Sequence, residues 1–195
     1  MPLQTEQILR QELGREERLL WSSMPLQGLR LRTSDAVAIP FSLLWGGFAF
    51  FWEYSAVTSH APFFFMLWGV PFVLMGLYIT VGRFFVDGYL RTRTYYGVTD
   101  RRVIIISGFS GKEVKSLNLS GLNDISLKEQ PDRSGSITFG ASNPIYAMRR
   151  GTAWPGVNKQ LAPAFDPIAE ARKVYDVVRE AQHAQTVRVV AGSGG

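Results

Sequence analysis

From residue 36 to residue 82 the chain carries a single formal charge, Glu53, which divides the stretch into two apolar blocks. A helix rises about 1.5 Å per residue, so each block approaches the roughly 30 Å of a bilayer's hydrocarbon core. The short polar piece between the blocks permits only a tight reversal. We therefore expect an N-terminal transmembrane helical hairpin, with helices at about 36–57 and 61–82.

The alternative is a pair of core helices in a soluble protein. A soluble helix normally keeps one polar face, whereas both blocks are apolar on every face. A chain of 195 residues also has little other material with which to surround two such helices. The pattern therefore favours the membrane.

The basic residues that flank the hairpin indicate its orientation. Arg30 and Arg32 precede the first block, Arg83, Arg91 and Arg93 follow the second, and the connecting loop has no Lys or Arg. Cytoplasmic loops are the ones enriched in basic residues, so we expect both termini in the cytoplasm and a multi-pass membrane protein. The polar first 35 residues contain no apolar signal-peptide core.

The net charge of +5 arises in one part of the chain. Residues 83–159 hold twelve basic and six acidic side chains, whereas basic and acidic residues balance in 1–35 and in 160–195. A basic segment that leaves the membrane is attracted to anionic headgroups. Nucleic acid would attract it too, but a tethered segment meets lipid first, so we expect no nucleic-acid partner. The absence of cysteine excludes disulfides and thiol catalysis.

The parts outside the hairpin show helical and strand patterns. Residues 1–35 form a cytoplasmic segment, in which Thr5–Leu20 predicts a short amphipathic helix and Trp21–Pro25 an extended stretch. After the hairpin, segments of β type alternate with turn residues and predict an antiparallel meander. These segments are Arg91–Val98, Arg102–Ser107, Val114–Leu119, Asp124–Glu129 and Ser136–Phe139.

The pattern is weaker towards the C-terminus. Residues 141–163 are rich in Gly, Pro, Asn and Ser, which indicates a long loop with one or two further strands. Asp166 followed by Pro167 is a helix-start signal, and apolar residues at helical spacing predict an amphipathic helix from Pro167 to Gln182. Residues 186–195 are expected to be a flexible tail.

The order of these segments resembles the bacterial pleckstrin-homology-like (PH-like) domain family over about residues 90–182. The resemblance is carried by the Tyr96–Gly108 run containing Tyr-Gly-Val-Thr-Asp-Arg-Arg, by Leu117–Ile125, by Gly135-Ser-Ile-Thr-Phe139 and by the Asp166–Val178 helix. Many members of that family place transmembrane helices just before the domain, so the resemblance implies a multi-pass protein of the bacterial inner (plasma) membrane. The resemblance implies an α+β fold in which the hairpin precedes a cytoplasmic domain at 83–185. That domain would be a partly open antiparallel β-barrel of about seven strands, capped by a C-terminal helix.

No set of residues in the sequence indicates catalysis. His60 and His183 lie on opposite sides of the predicted membrane, and no phosphate-binding loop, nucleophile elbow or metal-ligand spacing occurs. Asp100, Asp124 and Asp132 occupy turns or strand ends, where Asp caps the backbone. We therefore expect no catalytic residue, no metal and no cofactor.

The candidate binding residues are five arginines: Arg83, Arg91, Arg93, Arg101 and Arg102. They would bind lipid headgroups or a protein partner, or else the first three only set topology and the last two form a solvated turn. If the first two strands pair, Arg91 and Arg93 lie at the opposite end from Arg101, so a single pocket does not follow. The loop between those strands is too short for phosphoinositide recognition of the kind seen in eukaryotic PH domains.

Two functional hypotheses follow from the sequence. The first is a non-enzymatic, membrane-anchored PH-like module that engages a protein partner, anionic lipid or another copy of itself. The second is an accessory subunit of a membrane enzyme or transporter that docks through its hairpin. Small residues on the helices, Ser42 with Gly46 and Gly69 with Gly76, permit close helix packing, either within the hairpin, which we favour, or between copies.

Overall fold

The computed structural model of the chain describes residues 2–28, 35–108, 111–140 and 162–192. The further strands that the sequence predicts between 141 and 161 lie outside the described residues, as do Arg30 and Arg32. The chain forms two compact units, which are described separately below. Of the described residues, 35–88 form the apolar unit, and 2–28, 89–108, 111–140 and 162–192 form the sheet unit.

The apolar unit is built from two helices joined by a short loop. Helix α2 spans Asp35–Thr58, and helix α3 spans Phe63–Leu77. A π-helical turn at Tyr78–Gly82 leads without a break into helix α4, Arg83–Thr92. Taken together, Phe63–Thr92 is a 30-residue helix that is long and apolar enough to cross a membrane by length and composition.

The second helix extends beyond the end that the sequence predicts. It was expected to stop near Gly82, with a strand starting at Arg91, but Arg91 and Thr92 are still helical. The strand begins at Tyr95. The prediction of a strand from Arg91 is therefore wrong for its first four residues, because Thr and aromatic residues favour strands only weakly against a helix that already runs into them.

Four antiparallel strands form the first sheet, in the order β1-β2-β3-β4. Strand β1, at Leu19–Ser23, comes from before the hairpin, and the other three come from after it. They are β2 at Tyr95–Thr99, β3 at Arg102–Ser107 and β4 at Glu113–Asn118. The N-terminal segment thus supplies a strand of the sheet, whereas the sequence indicated only an extended stretch there.

A second sheet and the last helix complete the sheet unit. The sheet has the order β5-β6-β7, with β5 at Ile125–Glu129, β6 at Gly135–Phe139 and β7 at Ala164–Ile168. Helix α5 spans Ala171–Gly192.

The helix start predicted at Asp166-Pro167 is wrong. Both residues belong to β7, and a cis peptide bond joins them. Pairing of Phe165 with Ile137 on β6 extends the backbone there, and burial of Phe165 and Ile168 in the core stabilises the strand. The helix begins at Ala171 and continues to Gly192, so most of the predicted tail is helical.

Helix α1 is shorter than the N-terminal helix that the sequence predicts, since it spans Pro2–Arg10.

The main core lies between the two sheets and α5. Its largest buried side chains are aromatic: Phe139 and Phe165 are at most 1% exposed, and their rings meet edge to face at 4.9 Å between centroids. The sheets are joined on one side, where the Leu26 N–H donates to the Pro167 carbonyl at 2.8 Å. The α+β class and seven antiparallel strands agree with the prediction, but the described strands pair as two sheets and not as one closed barrel.

Helix α1 covers the outer face of the first sheet. Its Leu9 is fully buried and packs with Ile104 and Ile106 of β3. The alternate residues Val103 and Ile105 face the main core. Strand β3 is therefore buried on both faces, which explains why its sequence is a continuous β-branched run.

Candidate binding surfaces

The apolar unit is inserted in the chain between two neighbouring strands. Ser23, at the end of β1, pairs with Tyr96, near the start of β2, and the whole hairpin runs between them in sequence. We call this end of the strands, where Ser107 of β3 also pairs with Glu113 of β4, the hairpin end. The opposite end of the strands, with the β2–β3 turn at 99–102, is the far end.

The predicted arginines are divided between these two ends. Arg101 and Arg102 lie at the far end, whereas Arg91 and Arg93 precede β2 at the hairpin end. A strand of five or six residues at about 3.3 Å each separates the two ends by roughly 17–20 Å. The five arginines therefore do not form one pocket, and Arg83 belongs to the apolar unit.

Arg102 is committed to contacts within the fold. Its Nε and Nη2 donate to the two carboxylate oxygens of Glu17, each at 2.8 Å. Nη2 also donates to the Glu12 carbonyl at 2.7 Å, and Nη1 donates to Ser116 Oγ at 3.1 Å. These bonds connect the segment between α1 and β1 to the start of β3.

Glu17 is held as a carboxylate by this arrangement. Its side chain is only 4% exposed, and burial alone acts to raise its pKa. Hydrogen bonds from Arg102, the Gly14 N–H and the Thr99 hydroxyl, together with the guanidinium charge, outweigh burial and lower the pKa to about 2. The hydrogen bonds to Glu17 in turn raise the pKa of Arg102. The pair is ionised and structural.

Arg101 is different, because it projects into solvent. Its Nη2 lies 3.7 Å from Glu16 Oε2, and the two side chains are 56% and 88% exposed. Exposed pairs of this kind contribute about 0–1 kcal/mol. Arg101 therefore projects from a solvated turn, whereas Arg102, which the same interpretation placed in that turn, is bonded within the fold.

At the hairpin end, one predicted arginine is buried and another is exposed. Arg91 is 4% exposed, and its Nη1 donates to the Leu26 carbonyl at 3.4 Å. Gln27 Nε2 donates to the Arg91 carbonyl at 3.2 Å, so these residues join the chain that enters the hairpin to the chain that leaves it. The exposed Arg93 places its guanidinium over the Tyr89 ring, 4.9 Å from the centroid. Of the two predicted arginines at this end, Arg93 is the one whose charge faces solvent.

The aspartates weighed as catalysts cap the backbone where the structure gives them contacts. Asp100 Oδ1 accepts a hydrogen bond from the Arg18 N–H at 3.0 Å. Asp132 Oδ1 accepts from both the N–H and the hydroxyl of Ser134, as in an Asx turn. Within the described part of the chain, no three acidic or histidine side chains are grouped so as to hold a metal ion.

Inside the apolar unit, small residues bring α2 and α3 close together. A Cβ atom on Gly76 would lie 3.0 Å from Gly46 Cα, so the two backbones are in contact at this point. One turn further along, Thr80 Oγ1 lies 3.4 Å from the Ser42 carbonyl. The small residues singled out in the sequence therefore pack within the hairpin, the first of the two possibilities.

Glu53 also lies between the two helices. A Cβ atom on Gly69 would overlap Glu53 Oε2, so the absence of a side chain at Gly69 provides the space that the carboxylate occupies. Glu53 Oε2 is buried and has no hydrogen-bond partner among the described residues. The sequence identified Glu53 only as the charge that separates the apolar blocks.

An aromatic groove lies beside this carboxylate, on the surface of the same two helices. Its volume is about 220 Å³, and it is lined by Trp45, Phe48, Ala49, Trp52, Trp68 and Phe72. Ala49 is 5% exposed and lies one helical turn before Glu53. The spacing 45, 48, 49 and 52 on one face of α2 was a signal of this groove, but the uniform hydrophobicity of the block concealed it.

Comparison with known proteins identifies the family. A family model described as bacterial PH domain matches residues 36–182, which includes the hairpin and most of the sheet unit. Helix α1 and strand β1 lie before the matched residues. No curated protein and no solved structure matches significantly. Because the matched residues are well over half of the chain, this protein belongs to the bacterial PH domain family.

Proposed function

We propose that the protein is a membrane-anchored, non-enzymatic binding module of the bacterial plasma membrane. In this proposal the hairpin of α2 and α3 spans the bilayer, and the sheet unit lies on the cytoplasmic side. The sheet unit then engages anionic lipid, a protein partner or another copy of the chain at that surface.

The observation that carries the proposal is the pairing of β1 with β2. These strands lie on either side of the hairpin in sequence and are neighbours in one sheet, with Ser23 opposite Tyr96. Both flanks of the hairpin must therefore be on the same side of any membrane. In the proposed topology Phe63–Thr92, which is long and apolar enough, makes one crossing, and a second crossing is then required to bring the chain back to the same side. Helix α2, at 24 residues or about 36 Å, is long enough for that crossing.

The surface of the hairpin also supports a lipid environment. Large apolar side chains on both helices are exposed: Leu44 is 75% exposed, Phe63 is 74% exposed and Phe51 is 69% exposed. Apolar patches of this extent are unfavourable in water and mark a membrane or protein contact. A helical backbone bonds within its own segment, as a hydrocarbon environment favours, and the internal Pro40 and Pro71 each remove one such hydrogen bond.

The structural roles of the charged side chains support a binding function over catalysis. Arg102 and Glu17 tie the N-terminal segment to the sheet, and Asp132 closes a turn. The exposed Arg93 lies at the hairpin end, next along the chain to the proposed membrane surface. A cation at this position attracts anionic headgroups, worth about 1 kcal/mol near the surface.

The topology can be tested with single cysteines, because the native chain has none. We would place one at Ser59, in the loop after α2, and one at Glu180, on the exposed face of α5. In intact cells, a membrane-impermeant maleimide should label Ser59→Cys and should label Glu180→Cys only after the membrane is opened. Labelling of both or neither in intact cells, or release of the protein by alkaline carbonate, would contradict the proposal.

Lipid attraction is tested by comparing the two ends of the sheet. In nanodiscs that contain phosphatidylglycerol, Arg93→Ala should retain fewer anionic lipids in native mass spectrometry than the wild type. Arg101→Ala removes an equal charge from the far end and should retain the wild-type number. Equal lipid retention by both variants and the wild type would argue for a protein partner and against lipid.

A further inference from the structure

Glu53 lies next to the aromatic groove, whose lining includes the adjacent Trp52, and the anchoring role requires neither the carboxylate nor the groove. From residue 36 to residue 82 Glu53 is the single formal charge, and its Oε2 is buried without a hydrogen-bond partner among the described residues. A buried carboxylate oxygen without a partner is costly. Ionisable residues within membrane-spanning segments are therefore functional-site candidates with a partner to be identified.

The groove determines the shape of what binds beside this carboxylate. Ala49 forms its floor, and aromatic rings form its walls, with Phe48 and Trp52 6.4 Å apart and Trp68 and Phe72 6.2 Å apart between ring centroids. Its volume of about 220 Å³ is below the roughly 300–1,000 Å³ of a drug-sized ligand site. The groove thus fits a slender apolar chain, and Glu53 lies one helical turn from its floor.

Charge complementarity identifies the head of the occupant. A carboxylate beside tryptophan rings favours an ammonium group, which pairs with the carboxylate and is attracted to aromatic faces. Glu53 lies five residues before the end of α2 at Thr58, or about 8 Å along the helix. In the proposed membrane this depth lies near the headgroup layer, where tryptophan is also enriched.

A second copy of the hairpin does not provide this partner. Residues 36–82 contain no Lys or Arg, and their histidine, His60, lies seven positions beyond Glu53. The packing of two hairpins would therefore bring apolar surfaces together and supply neither carboxylate with a Lys or Arg. A lipid supplies both parts of the occupant in one molecule, since its acyl chain fits the groove and its headgroup carries the ammonium.

We infer that the groove and Glu53 bind one phospholipid with a primary ammonium headgroup. The acyl chain lies over Ala49 between the aromatic walls, and the ammonium donates to the Glu53 carboxylate. This inference depends on the proposed membrane anchoring of the hairpin.

The test uses the full chain in nanodiscs of phosphatidylglycerol mixed with either phosphatidylethanolamine or phosphatidylcholine. After mild delipidation, native mass spectrometry should find one ethanolamine lipid retained by the wild type. Glu53→Gln keeps the shape of the side chain and removes its charge, so it should reduce this retention about tenfold, as expected for the loss of one charge-assisted hydrogen bond. Choline lipid, which has no N–H, should not be retained in its place.

Two further variants separate binding from folding. Ala49→Leu fills the groove and should abolish retention, whereas Gly47→Leu adds the same side chain to the same helix where a Cβ meets open space and should preserve it. Thermal unfolding shows whether either leucine variant fails to fold. If one does, the comparison of Glu53→Gln with the wild type alone tests the inference. The inference would be overturned if the wild type retained all headgroups equally, or if Glu53→Gln retained as much ethanolamine lipid as the wild type. A protein helix found crosslinked in the groove would also overturn it. Release of the chain by alkaline carbonate would instead overturn the anchoring itself.

Discussion

Glu17 and Arg102 are separated by 85 positions in the chain and are joined by two hydrogen bonds of 2.8 Å. One residue precedes the hairpin, and the other follows it. The pair therefore connects the two parts of the chain that together form the first sheet. Its energetic importance can be measured directly.

We expect Arg102→Ala to destabilise the protein by about 3 kcal/mol, because it leaves the buried Glu17 carboxylate without its cation. For a chain of this size, that corresponds to a fall in melting temperature of roughly 6–12 °C. Thermal unfolding of the detergent-solubilised protein measures the change. Arg101→Ala removes the exposed neighbouring charge and serves as the control, with an expected change below about 1 kcal/mol. Equal effects of the two substitutions would show that the Glu17 contacts contribute nothing.

The stability that Glu17 provides should depend on pH. The folded state lowers its pKa from 4.5 to about 2. A carboxyl group whose pKa is lower in the folded state contributes its full stabilisation above the unfolded pKa and loses it as the pH falls towards the folded pKa. The stability difference between wild type and Glu17→Gln should therefore be constant above about pH 5 and shrink towards pH 2. A difference that does not change across this range would be inconsistent with a lowered pKa.

The contact of Leu9 with Gly97 predicts a coupled pair of substitutions. A Cβ atom on Gly97 would lie 3.0 Å from Leu9 Cδ2, so Gly97→Ala should destabilise by about 1–2 kcal/mol through overpacking. Leu9→Ala alone should cost about 2–4 kcal/mol, because Leu9 is fully buried. In the double variant, the Gly97→Ala step should cost less, which a double-mutant cycle measures. Strict additivity would mean that α1 does not pack over Gly97.

Close packing in the hairpin gives a fourth prediction. Gly76→Leu would force a side chain against the backbone at Gly46, so we expect the helices to separate and the melting temperature to fall by several degrees. Gly47→Leu is the matched control, because a Cβ there meets open space, and it should leave the melting temperature unchanged. A larger loss in the control than in Gly76→Leu would contradict the observed packing.

Several strands of the two sheets could be predicted because they are adjacent in sequence to the strands with which they pair. The segment predicted at Arg102–Ser107 coincides with β3, and the β5 and β6 segments begin within one residue of their predicted starts. These strands are joined by short turns, so turn residues and β-branched runs mark both their ends.

Strand β1 and the start of α5 depend on contacts that are distant in sequence. Residues Leu19–Ser23 form a strand because β2 lies beside them, more than seventy positions later. Asp166 and Pro167 have the local signature of a helix start, but the residues on either side of them, Phe165 and Ile168, pair with β6 and hold them in a strand. Local propensity is weak enough that such tertiary contacts override it.

For the binding residues, the sequence predicted the types of side chain but not their partners. The arginines were identified as candidates, yet the bonds of Arg102 to Glu17 depend on a fold that brings the N-terminal segment to β3. The groove beside Glu53 likewise depends on which faces of α2 and α3 meet. Neither relationship is encoded at a fixed spacing in the sequence.

The insertion of the hairpin between β1 and β2 sets an order of assembly during synthesis. The ribosome completes β1 before the hairpin and β2 after it, so β1 has no strand partner until both apolar helices have been made. In the membrane topology proposed above, helices that crossed the bilayer the wrong number of times would leave β1 and β2 in different compartments, and the first sheet would not form. Under that proposal, the sheet is completed only when both flanks of the hairpin lie on one side of the membrane, and a chain that fails would expose the apolar face of β3 to quality-control proteases.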